Sequence, residues 1–319
     1  MGITFRRVGA NLAAEVEGID LAKPLDDEAR DAIHDGLAEH QLLIFRDQEI
    51  TSDRLMEFGE RFGELSVHPF APHVEDTPAL IRFENDAETP PFGTDVWHSD
   101  ETFRAAPPMA TALCAKTVPE VGGDTVFASM SAAYDGLSER MRALIDGLQA
   151  IHDIKPFKAI FDDTPEDRRE LQKFEAIYPP MTHPVVRVHP VTGRRVLFVN
   201  PQFTIRIKDM DERESASLLD TLFHQALIPE LQYRLHWRPH TLAMWDNRSV
   251  QHYAVHDYWP QVRIMDRVTI KGTRPVGLEA ADPATVKRPK TLITGAVSHG
   301  AHKPHLVEDD VREEASAAE

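Results

Sequence analysis

The stretch TLAMWDNRSVQHYAV, Thr241–Val255, decides how the chain is read. It is rich in β-branched and aromatic residues and is broken by a polar step at Asp246–Ser249, as extended chain is. Four more stretches share this character: TALCAKTV (Thr111–Val118), GDTVFASM (Gly123–Met130), VVRVHPVTGRRVLFVN (Val185–Asn200) and VRIMDRVTIKG (Val262–Gly272). The third reads as a hairpin around Thr192–Gly193. Glycine, proline or polar breaks separate them all. Helices are predicted within Ser129–Leu148, Thr164–Ile177 and Asp211–Leu227. Many strands with few crossover helices argue against a doubly wound sheet and for an antiparallel barrel or sandwich.

Upstream, Ile3–Leu21 reads as short strands. Pro24–His40 reads as an amphipathic helix capped by Asp26 or Asp27, and Gln41–Gln48 as a buried strand. Thr51 opens a second helix, ended by Gly63, and Ala79–Asn85 is another strand. After Pro275 large apolar residues become scarce and the chain ends in an acidic run. Residues 275–319 are expected to form an extension, extended or partly disordered. Its His299, His302 and His305 read as part of a solvated tail.

A chain of 319 residues is long enough to bury a sizeable core, and its net charge is −17. That charge argues against nucleic acid or an anionic membrane as the main partner. An anionic ligand would need local arginines to overcome the field. One cysteine, Cys114, excludes an intrachain disulfide. With no apolar leader and no run near the ~20 residues of a membrane span, a cytoplasmic protein is expected.

Four short motifs carry the chemistry. VWHSDETF, Val96–Phe103, places His98 and Asp100 two residues apart, so on a strand both would reach one point. A surface His–Asp hydrogen bond would look the same. Two ligands do not hold a catalytic metal; a facial triad needs a second histidine from elsewhere in the fold. His252 could supply it, and on composition so could His236, His240 or His256. In QVRIMDRVTI, Arg263 and Arg267 have the same parity and face one side of a strand. Buried guanidiniums need anions: carboxylates of the fold, or ligands gripped bidentately. Finally, GGDTVF, Gly122–Phe127, allows close backbone approach beside the Thr125 hydroxyl, or is a turn into a strand.

In this order and spacing, WHSDETF, GGDTVF, WDNRSVQHYA and RIMDRVTI resemble the taurine dioxygenase-like family of Fe(II)/2-oxoglutarate oxygenases, over about Thr4–Arg274. The family also includes alkylsulfatases and aryloxyalkanoate dioxygenases. The resemblance implies a mainly β protein with helical insertions, a double-stranded β-helix (jelly roll, cupin-like). It implies one dioxygenase domain, residues 1–274, that uses Fe(II), 2-oxoglutarate and O2. It implies iron ligands His98, Asp100 and His252, 2-oxoglutarate held by Thr125 and Arg263, and a small anionic substrate met by Arg267. His68 matches a histidine that meets the substrate's acidic group, and Phe157 and Phe203 fall near the aromatic substrate wall. Asn247 matches a structural residue beneath the site. A homodimer or homotetramer is implied as well.

The chain departs from the taurine pattern at Ala71, Thr94 and Asp266, where tyrosine, asparagine and histidine are usual. Fewer polar contacts and more room imply an anion larger than taurine, or a broad substrate range: an alkanesulfonate or alkyl sulfate ester, with aryloxyalkanoates as the alternative. A satisfied surface histidine is a competing account of His68, and ordinary core packing is one of Phe157 and Phe203. Two other classes compete. A zinc hydrolase could use two histidines and an aspartate, but there is no HExxH and no use for two inward arginines. A non-catalytic cupin-like protein would bind without turnover.

Overall fold

The computed structural model describes residues 2–70, 73–74, 76–91, 93–154, 157–158, 161 and 164–290. Along the chain run β1 (Thr4–Arg7), β2 (Ala14–Glu17), α1 (Asp27–His40), β3 (Leu42–Phe45), α2 (Ser52–Glu60), β4 (His73–Val74), β5 (Thr77–Asn85), β6 (Ala110–Thr117) and β7 (Thr125–Ser129). Then come α3 (Met130–Gly136), α4 (Glu139–Ile145), β8 (Gln149–His152), α5 (Pro165–Ile177), β9 (Met181–Pro184), β10 (Val186–Val188), β11 (Arg195–Leu197) and β12 (Thr204–Ile207). The chain continues through α6 (Glu212–Phe223), β13 (Gln232–Leu235), β14 (Leu242–Asp246), β15 (Val250–Ala254) and β16 (Arg263–Ile270).

The architecture is a jelly roll. A large sheet runs β1-β2-β3-β14-β6-β16-β5-β4, and a smaller one, β13-β7-β15, faces it. Strand alternation explains the layers. In β3, Leu42 and Ile44 point between the sheets, where they join Leu113, Ala243, Trp245 and Met265 and meet Phe127, Leu235 and Val250 of the small sheet. Leu43 and Phe45 point the other way, onto Ile33 and Leu37 of α1 and Leu55 and Phe58 of α2. β3 is therefore buried on both faces, which is why it reads as an unbroken apolar run.

Caps set the helix starts. The Asp26 carboxylate accepts from the Ala29 amide, and the Thr51 hydroxyl from the Arg54 amide. The helical segment Ser129–Leu148 is two helices, because Leu137 is extended and Ser138 caps afresh through the Met141 amide. The hairpin around Thr192–Gly193 forms as β10–β11. Residues 275–290 lie against it: the Val188 amide donates to Val276 O at 2.8 Å, and that of Lys287 to Gly193 O at 2.8 Å. Gly193 is required there, since a Cβ would lie 1.8 Å from Thr285 O. His299, His302 and His305 lie outside the described residues, as does Ala71.

Candidate metal centre and anion cavity

The site forms between the two sheets. His98 makes one antiparallel bridge with His252 of β15, through His98 N to His252 O at 3.1 Å and His252 N to His98 O at 2.8 Å. The backbone therefore brings the two imidazoles together, centroids 4.1 Å apart. The expected strand does not extend through Asp100. The chain leaves the bridge at Ser99, whose hydroxyl donates to Val250 O at 2.7 Å, and Asp100 opens a turn. Turn geometry, not strand alternation, returns the carboxylate to the histidines.

Asp100 Oδ1 lies 3.7 Å from His98 Nε2 and 3.9 Å from His252 Nε2. These three donor groups lie within 4.8 Å of one another, and all three residues are buried. Among the described residues they are the one such group that could hold a metal ion. His98 Nδ1 lies 2.7 Å from Val96 O; a carbonyl only accepts, so Nδ1 carries the proton and Nε2 turns its lone pair to the site. Burial holds both imidazoles neutral, His252 most strongly. Burial pushes Asp100 upward, but Arg267, His252, His98 and the Thr111 hydroxyl more than offset it and hold it ionised, below the usual carboxylate range. Two neutral imidazoles and a carboxylate, all on one side, suit a divalent metal with open positions.

Asn247 locks this arrangement from beneath. Its side-chain oxygen accepts from the Asp100 amide at 3.3 Å and from Trp245 Nε1 at 3.0 Å. Its amide donates to Thr111 Oγ1 at 2.9 Å, and Thr111 donates to Asp100 Oδ2 at 2.6 Å. Nothing local in the sequence points to Thr111, which lies on β6 and meets Asp100 only across the sandwich.

A cavity of about 690 Å³, mouth included, opens from His98 and His252. Thr125, Arg263, Arg267 and Tyr258 line it. The two arginines do share one face of β16. Arg263 is 7% exposed, and its Nε and Nη2 have no hydrogen-bond partner within the protein. Its guanidinium lies 5.6 Å from the Tyr258 ring. An unpartnered cationic edge in the interior is costly and suits a carboxylate arriving from the cavity. Thr125 Oγ1 accepts from Trp237 Nε1 at 2.9 Å, which leaves its own proton to donate. Gly122 and Gly123 have φ of +83° and +70°, and a Cβ on Gly123 would lie 3.3 Å from Arg263 Cδ.

Asp266 takes no part. It faces the opposite side of β16, accepting from Arg82 at 2.7 and 3.0 Å and from Ser52 at 2.6 Å. Its difference from the taurine pattern therefore does not bear on the ligand, because adjacent strand residues point to opposite faces. Thr94 lines the cavity together with Arg267 and pairs with His256 at 3.0 Å. His236 is exposed and pairs with Asp124, and His240 is exposed. His252 alone of the four candidates joins His98 and Asp100.

His68, Phe157 and Phe203 come together beside His98. The ring of Phe157 lies 5.6 Å from His68 and 5.9 Å from Phe203, which is 6.3 Å from His98. Phe203 is buried with Phe103 and Ile154, so core packing accounts for much of its environment. His68 Nδ1 accepts from the Phe70 amide at 3.1 Å, which puts the ring proton on Nε2. Burial, and then Arg267, drive the His68 pKa down to about 3, so the ring is neutral.

Residues 4–269 match the family described as taurine catabolism dioxygenase TauD, TfdA family. The chain is 35% identical over 286 residues to an alpha-ketoglutarate-dependent sulfate ester dioxygenase of Pseudomonas putida, covering 88% of this chain and 93% of that protein. It is 34% identical to an alkylsulfatase of Acinetobacter baylyi, covering 86% and 87%. A crystal structure of a taurine dioxygenase from Burkholderia xenovorans superimposes with a TM-score of 0.74 at 33% identity, covering 88% and 92%.

Proposed function

Since the chain belongs to the taurine catabolism dioxygenase TauD, TfdA family, we propose that His98, Asp100 and His252 hold its iron(II), that Arg263 and Thr125 hold its 2-oxoglutarate, and that its substrate is an organic sulfate ester or sulfonate. The protein is a 2-oxoglutarate-dependent dioxygenase, an oxidoreductase that uses iron(II) and O2. The observation that carries the site assignment is a three-donor cluster beside a cavity lined by Arg263, whose buried Nε and Nη2 have no partner within the protein.

Iron(II), 2-oxoglutarate and O2 together supply the oxidation: 2-oxoglutarate leaves as succinate and CO2, and a substrate C–H bond becomes C–OH. The protein's share is binding and orientation. Arg263 and Thr125 would hold 2-oxoglutarate by its carboxylates, the guanidinium through its free edge and the threonine through its hydroxyl proton. Arg267, fixed by Nε to Thr269 Oγ1 at 3.1 Å, takes the anionic head of the substrate. The neutral His68 ring donates from Nε2 to the same head. Phe157 and Phe203 cover the organic part and exclude water. When the hydroxylated carbon bears a sulfate ester oxygen or a sulfonate sulfur, the product collapses to an aldehyde and releases sulfate or sulfite.

The sulfate ester relatives favour that head group over a carboxylate. The test is succinate formation with iron(II), O2 and 2-oxoglutarate across hexyl sulfate, hexanesulfonate, taurine and an aryloxyalkanoate. Stimulation by hexyl sulfate or hexanesulfonate is expected. Stimulation by the aryloxyalkanoate alone would overturn the substrate class. We place the enzyme in the cytoplasm as a homodimer or homotetramer. The single, buried Cys114 suits a reducing compartment, and light scattering reads the assembly. Among the described residues no helix is long and apolar enough to cross a membrane.

A further inference from the structure

We propose that Arg104 is a positioning residue for the organic substrate: it clamps the loop that carries His68 to the turn that carries Asp100. The proposal rests on the substrate-site reading above.

Four elements meet on this one side chain and its backbone. Arg104 Nε donates to the Glu101 carboxylate, in the turn that follows Asp100. Its Nη2 donates to Val67 O at 2.9 Å, one residue before His68. Its guanidinium lies 5.4 Å from the ring of Tyr178, the residue that ends α5, and 5.9 Å from that of Phe103. Its own carbonyl accepts from His183 Nε2 of β9 at 2.9 Å. Nε and Nη2 are separate nitrogens held in one plane, so Arg104 serves Glu101 and Val67 from two fixed points, whereas the three donors of a lysine all leave a single nitrogen.

Two local costs support a role beyond packing. Glu101 is 2% exposed, and a buried carboxylate is expensive unless a cation and hydrogen bonds compensate it. Its φ is +47°, in the left-handed region that a residue with a Cβ seldom adopts. Such strain tends to gather where geometry is functional. Here it sits one residue from Asp100 and turns a carboxylate towards the cation that holds the His68 loop. By contrast, Arg104 does not line the cavity of Arg263 and Thr125. Its loss should therefore affect the organic substrate and spare 2-oxoglutarate.

The experiment compares the parent enzyme with Arg104→Gln and Arg104→Lys. Three quantities are read: amide hydrogen exchange over Ser66–Phe70, the apparent KM values for hexyl sulfate and for 2-oxoglutarate, and the ratio of aldehyde to succinate. In Arg104→Gln we expect exchange at least tenfold faster over Ser66–Phe70. The KM for hexyl sulfate should rise at least tenfold, that for 2-oxoglutarate should stay within twofold, and the aldehyde-to-succinate ratio should fall. Arg104→Lys keeps a cation beside Glu101 without the fork. Under the clamp its exchange stays fast and its hexyl sulfate KM stays high. If lysine restores both, Arg104 merely neutralises Glu101 and the proposal fails. It also fails if exchange is unchanged in both variants, or if the two KM values rise together. Should the parent not turn over hexyl sulfate, the substrate reading fails, and the clamp is then judged by exchange alone.

Discussion

Arg267 Nη2 lies 3.0 Å from Asp100 Oδ1, so the guanidinium that faces the anion cavity also neutralises the carboxylate of the histidine–aspartate cluster. The two functions share one oxygen's surroundings. A change at either residue should therefore be felt by both the metal and the substrate.

Replacing His98 or Asp100 with alanine should abolish succinate formation while the circular dichroism spectrum is kept. Removing one of three ligands leaves too few for tight binding, so iron(II) affinity by equilibrium dialysis should fall at least about tenfold. Asp100→Ala should also lower the melting temperature more than His98→Ala, because it leaves Arg267 buried without its carboxylate. Full activity in either variant would remove the metal assignment.

Arg263→Met separates function from stability. A charge-assisted hydrogen bond to a carboxylate contributes roughly 1.5–3 kcal/mol, so the KM for 2-oxoglutarate should rise by about ten- to a hundredfold. Burial already presses the Arg263 pKa down, and its unpartnered nitrogens are a cost of the unliganded fold. The apo variant should therefore melt at or above the parent temperature. A clear fall in melting temperature, measured without 2-oxoglutarate, would mean that the arginine is structural.

Arg267→Lys keeps a charge near Asp100 but loses the planar fork. Iron affinity should stay near that of the parent, while the KM for the anionic substrate rises roughly tenfold, the order expected for one lost charge-assisted contact. Equal losses in iron and substrate binding would mean that Arg267 serves the metal cluster alone.

Acid stability should report on Asp246. This buried carboxylate accepts from Arg248 Nε at 2.8 Å and Nη2 at 2.7 Å, and pairs with His189 Nε2 at 2.8 Å. Burial pushes its pKa up, but Arg248 and His189 more than offset this and hold it well below the usual carboxylate range. With the folded pKa below the unfolded value of about 3.9, the contribution is fully present above that pH and is lost as pH falls through the folded value. Asp246→Asn should cost about 3 kcal/mol near pH 7, since it leaves Arg248 buried without its partner. Urea denaturation should show the gap from the parent narrowing below about pH 4. A gap independent of pH would rule this pairing out as its source.

Much of the molecule follows from residue order alone, because its causes are local. The strand periodicities, the Asp26 and Thr51 caps and the shared face of Arg263 and Arg267 are properties of a few neighbouring residues. So is the two-sided burial of β3, which shows as an apolar run bounded by polar residues. The motif set was enough to bring His98, Asp100 and His252 forward as candidates. Other features depend on residues far apart in the chain. Which of four histidines joins His98 is decided by a bridge between positions 98 and 252, and Asp100 reaches it by a turn that its spacing does not reveal. Thr111 meets Asn247 beneath the histidine–aspartate cluster, and Arg104 meets the Val67 carbonyl, only when the chain has folded. Asp266 shows the converse. A residue next to Arg267 in sequence lies on the other side of the sheet, because side-chain direction in a strand alternates and chemical neighbourhood does not follow chain neighbourhood.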